Sequence, residues 1–119
     1  MKTILLLVAL LTISTTALAQ PDFNEVVDAI YKTEGSEKAK KPFGILSVKC
    51  EGYDECRQIC YNTVKNNWRR WENKTHGAEK YNDYLSFLAS RYAPIGVKND
   101  PTNLNKNWVR LVKYFYSLN

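Results

Sequence analysis

The chain has 119 residues, 24% of them charged and 45% hydrophobic, with a formal charge of +5. That length suits one domain with a single modest core. Three cysteines with a single, unsuitably spaced histidine argue against a zinc module, and basic residues scattered along the chain argue against nucleic-acid binding.

Residues 1–19 read as a secretion signal. Met1-Lys2 is a short positive start, Ile4 to Leu11 an apolar run, and Ala17-Leu18-Ala19 a small-x-small site with cleavage expected after Ala19. Thr12, Ser14, Thr15 and Thr16 interrupt the apolar run, which is too short to span a bilayer, so no stable membrane insertion is expected. The mature chain is then a single domain over 20–119, secreted or periplasmic. It loses Lys2 and keeps a formal charge of +4, which draws it toward anionic polymers such as bacterial envelopes.

The spacing predicts a mainly α-helical fold with about four main helices. Phe23, Val26, Val27, Ile30 and Tyr31 recur at helical intervals, with Asp22 as a cap and Gly35 as a stop. A polar, basic loop follows, over 35–51. The second helix is expected over 54–72, with Cys56, Ile59, Cys60, Val64, Trp68 and Trp71 inward. The third is expected to follow Gly77, with Tyr81, Tyr84, Leu85 and Leu88 inward, and to stop before Pro94. The fourth is expected to start near Leu104, with Trp108, Leu111, Val112 and Phe115 on one face. At such spacing most of the eight tyrosines and three tryptophans are core residues.

Export implies an oxidising compartment, and three cysteines leave one unpaired. Cys56 and Cys60, four apart on a helix, would hold their Cβ atoms about 5–6 Å apart, too far for a disulfide. Cys50 precedes the helix and can fold back. The expected bridge is Cys50–Cys56 with Cys60 a buried free thiol, and Cys50–Cys60 is the alternative. No metal or cofactor is called for.

Glu34 closes the first helix just before a glycine. At the negative end of the helix dipole its charged form is disfavoured, which raises its pKa and suits a group that must protonate a leaving oxygen. Lys38, Lys40 and Lys41 would oppose that shift if they approached. The competing reading is a solvated carboxylate at a helix end. The chain's "AIYKTEG", Ala29 to Gly35, and "FGILS", Phe43 to Ser47, resemble the lysozyme-like superfamily, especially soluble lytic transglycosylases and goose-type lysozymes. In that superfamily a first helix ends in a catalytic Glu, usually followed by serine, and a short Gly-aliphatic-aliphatic-Gln stretch returns beside it. Here Gly35 and Ser47 stand at the serine and glutamine positions, and the intervening loop is short.

The resemblance implies that Glu34 is the general acid/base and that Gly44, Ile45 and Ser47 line a glycan cleft. It also implies that Tyr92, in "SRYAP", hydrogen-bonds the acid. Asp100, in "NDP", is the best candidate for a second carboxylate, although a turn role suits that context better. The implied activity is cleavage of peptidoglycan or a related aminosugar polymer, with a cell-wall glycan or similar polysaccharide as partner. The alternative is a non-catalytic lysozyme-like module that binds glycan or another envelope component.

Overall fold

The computed structural model describes residues 19–118. The expected signal segment, apart from Ala19, therefore lies outside the described residues. The described chain is mainly helical and contains no strand among those residues. Its four helices are α1 (Phe23–Thr33), α2 (Gly52–Glu72), α3 (Tyr84–Tyr92) and α4 (Trp108–Ser117). Short 3₁₀ turns occupy Ser36–Lys38, Pro42–Gly44, Ala78–Lys80 and Leu104–Asn107.

Helix α1 starts where the sequence asks it to. The Asp22 carboxylate accepts from the backbone N–H groups of Asn24 (2.9 Å) and Glu25 (3.2 Å), satisfying donors the helix leaves open. Val26, Val27 and Ile30 are fully buried, and each contributes about 1.5–3 kcal/mol of burial. The helix packs mainly against α4 and next against α2, which places it at the centre of the fold. It stops because Gly35 takes a left-handed φ of +103°, which an L-residue with a side chain resists.

Two helix starts differ from the periodicity. The segment after Gly77 makes only a 3₁₀ turn, and α3 begins at Tyr84, where Asp83 accepts from the Ser86 N–H at 2.9 Å. A capping carboxylate outcompetes the apolar pattern there, so Tyr81 stays exposed while Phe87 takes its place in the core. Leu104 likewise lies in a 3₁₀ turn and is exposed, and α4 proper starts at Trp108. The disulfide is Cys50–Cys56, with a Cα–Cα distance of 5.2 Å, and Cys60 is a buried free thiol. Helix α2 reaches back to Gly52, so the bridge ties its first turns to the preceding loop.

Candidate active site

The loop after α1 doubles back on the helix end. Lys41 is extended, as a residue before proline prefers, and Pro42 starts a single 3₁₀ turn. Phe43 then takes a left-handed φ of +60° and Gly44 one of +67°. Phe43 is fully buried, with its ring 5.0 Å from that of Tyr31 and 5.5 Å from that of Tyr53. This anchor sets Gly44 directly on the carboxyl group of Glu34. A Cβ built on Gly44 would lie 2.5 Å from Glu34 Cδ and Oε2 and 2.8 Å from Oε1. Only a residue without a side chain allows that approach.

Glu34 caps the C-terminal end of α1, its N–H donating to the Ile30 carbonyl at 2.9 Å. Its Oε1 accepts from the Trp108 indole Nε1 at 2.9 Å. Burial pushes its pKa above the ordinary glutamate value, and the indole hydrogen bond opposes this only in part. Lys38, Lys40 and Lys41 form no ion pair with it. The salt bridges among the described residues are Lys49–Glu51, Arg57–Asp28 and Lys113–Asp83. Burial against Gly44 and α4 therefore biases the acid toward its protonated, proton-donating form, at the helix end where the sequence reading placed it.

A cleft of about 580 Å³ opens over this carboxyl group. Gly44, Ile45, Ser47 and Tyr92 all line it together with Glu34, so the five expected site residues meet in one concavity. Tyr92, however, does not bond to the acid. Its hydroxyl donates to the Phe43 carbonyl and lies 3.6 Å from the Cys60 sulfur, while its ring stacks on Trp108 with centroids 5.3 Å apart. The residue that bonds to Glu34 is Trp108, which the helical pattern assigned to the core. Helical spacing carried no signal for it: of the three tryptophans, the buried Trp68 indole N–H finds no acceptor while that of Trp108 finds Glu34. Burial holds the Tyr92 hydroxyl far above its usual pKa and pushes the Cys60 thiol up to about 12. Both therefore stay protonated.

Asp100 is buried, and its two oxygens accept from the N–H groups of Gly96 (3.1 Å) and Asn105 (3.2 Å). It knots the loop between α3 and α4, a loop-holding role rather than that of a second acid in the cleft. Glu34 is the sole carboxylate among the lining residues, which include three cations, Lys40, Lys41 and Arg91. Among the described residues no group of three His, Cys, Asp or Glu side chains could hold a metal ion. No family model matches the chain, and neither a curated protein nor a solved structure matches it significantly.

Proposed function

We propose that the protein is a secreted, lysozyme-like enzyme that cleaves peptidoglycan or a related aminosugar polymer, with Glu34 as its single general acid/base. One observation carries the reading: a carboxyl group with raised pKa, pressed against Gly44 and lining an open cleft. A carboxyl group biased by burial toward its protonated form suits the departure of a sugar oxygen. The Cys50–Cys56 bridge is compatible with an exported protein, and no helix among the described residues is long and apolar enough to cross a membrane.

A lone carboxylate favours one route. Ordinary glycosidases place two carboxyl groups about 5–5.5 Å or about 6.5–9.5 Å apart across the bond. With Glu34 alone in the cleft lining, the attacking group is best supplied by the substrate. Glu34 gives its proton to the glycosidic oxygen as the bond from that oxygen to the anomeric carbon breaks. The resulting carboxylate then removes a proton from a hydroxyl of the same sugar, whose oxygen bonds to the anomeric carbon. Glu34 ends protonated, no water is consumed, and the product carries an anhydro-sugar end. Lys40, Lys41 and Arg91 around the cleft suit a polymer bearing carboxylates.

The test is digestion of purified peptidoglycan by the mature protein, read by mass spectrometry, beside Glu34→Gln. Anhydro ends that vanish in the variant are expected. Equal product release by Glu34→Gln overturns the assignment, and retention on the glycan without any products makes the protein a binding module.

A further inference from the structure

Glu34 is held from two sides by elements distant in sequence. Gly44 covers one face of the carboxyl group, and Trp108 donates to Oε1. Phe43, which sets Gly44 there, sits at φ +60°, a conformation that bulky residues avoid and that persists only where surrounding contacts impose it. Within the turn itself, Gly44 N–H donates to the Lys41 carbonyl at 2.9 Å and Ile45 N–H to the Pro42 carbonyl at 3.4 Å. From elsewhere in the fold, the Phe43 ring is anchored on Tyr31 and Tyr53, and the hydrogen bond to the turn's backbone comes from the Tyr92 hydroxyl, on the Phe43 carbonyl. The same tyrosine ring stacks on Trp108, with 24° between the planes. Both restraints on the acid thus share one side chain that makes no hydrogen bond to it.

We propose that Tyr92 is the positioning residue of this site: its hydroxyl keeps the left-handed Phe43–Gly44 turn closed on the Glu34 carboxyl group, and its ring seats the Trp108 indole that donates to the same group. This rests on Glu34 being the working acid, as proposed above. The hydroxyl is suited to the task because it remains a donor. Burial keeps it protonated, and the neighbouring Cys60 thiol is itself held protonated. Opening the turn would admit water to Glu34 and remove the burial that favours its neutral form.

The test compares Tyr92→Phe with Tyr84→Phe. The second variant deletes a hydroxyl from the same helix that donates at 2.7 Å to the Val64 carbonyl, a buried bond of the same type away from the cleft. Tyr92→Phe keeps the ring and its stack. The primary readout is the Glu34 carboxyl titration by ¹³C NMR, which needs no turnover. Around Glu34, the Trp108 indole, Cys60, Lys40, Lys41 and Arg91 are unchanged in both variants, so a shift specific to Tyr92→Phe reports the turn.

The expected result is a Glu34 titration moved down toward the ordinary glutamate value in Tyr92→Phe and unmoved in Tyr84→Phe. With glycan as substrate, kcat falls about ten- to a hundredfold with KM little changed, and the alkaline limb of the pH profile moves to lower pH. If Tyr92→Phe lowers the melting temperature as Tyr84→Phe does but leaves the Glu34 titration where it was, Tyr92 is only a structural strut and the proposal fails. If the wild-type protein cuts no glycan while Tyr92→Phe still shifts the titration, the enzymatic reading fails and the positioning role stands.

Discussion

Gly44→Ala puts a methyl group where the Glu34 carboxyl group now lies. The new Cβ would sit 2.5 Å from Cδ and Oε2, against an ordinary contact that begins near 3.4 Å. One of the two must therefore move by about 1 Å. The atoms met are the tip of a flexible side chain, so the carboxyl group yields rather than the backbone. In yielding it leaves the Trp108 indole N–H, buried and 2.9 Å away, without its acceptor. That orphaned donor costs about 1–3 kcal/mol. The left-handed φ of +67° adds about 1–2 kcal/mol for any residue with a Cβ. The total is about 2–5 kcal/mol, or roughly 10–25 °C of melting temperature at about 5 °C per kcal/mol for a domain of this size.

Gly52→Ala is the control. It also has a left-handed φ, +77°, but a Cβ there meets nothing within 4 Å. It should cost only the backbone share, about 1–2 kcal/mol. Urea denaturation gives the two stabilities, and release of soluble glycan from peptidoglycan gives the rates. A displacement of about 1 Å in a reacting group costs on the order of a hundredfold in rate. Gly44→Ala should therefore lose about that much activity, while Gly52→Ala should keep the wild-type rate. A Gly44→Ala protein with wild-type kcat, or one no less stable than Gly52→Ala, would refute the close packing of turn on acid.

Three further outcomes follow from the same contacts. Glu34→Gln should raise the melting temperature at neutral pH: a folded pKa above the unfolded one means that ionisation costs stability as pH rises between the two, and glutamine never ionises. The gain should shrink as pH falls below the ordinary glutamate pKa, and a gain independent of pH would contradict a buried, pKa-raised acid. Cys60, buried and with its thiol pushed up to about 12, should resist iodoacetamide at pH 8 in the native protein and react readily in urea; rapid native labelling would show the core open at Tyr92. Replacing Lys40 and Lys41 by alanine should raise KM on peptidoglycan about two- to fivefold per charge at low salt and leave kcat nearly unchanged; a KM that neither the substitution nor added salt alters would remove the cationic rim from substrate binding.

The sequence by itself determined the four helices and most of the core, and it favoured Cys50–Cys56 over Cys50–Cys60; the pairing of Glu34 with the Gly44 turn was implied only by the resemblance to the lysozyme-like superfamily. The helices and the bridge are local matters: apolar residues three and four apart must share a helix face, Asp22 and Gly35 bound the first helix, and two cysteines six apart around a helix start can meet. Even locally, a cap can overrule periodicity, as Asp83 does in moving the start of α3 and exposing Tyr81. What only the tertiary structure decided is which polar atom meets which. Tyr92 and Trp108 are both aromatic residues at helical spacing, and nothing in that spacing says which of them faces the acid. Packing of α1 on α4 brings the indole of Trp108 to Glu34 from 74 residues away, while packing of both α3 and the Pro42–Gly44 turn on α2 brings the tyrosine hydroxyl to the Phe43 carbonyl from 49 residues away. The buried Trp108 indole takes the acceptor the fold presents to it, because a buried unpaired donor costs about 1–3 kcal/mol, whereas the equally buried Trp68 indole N–H is presented with none.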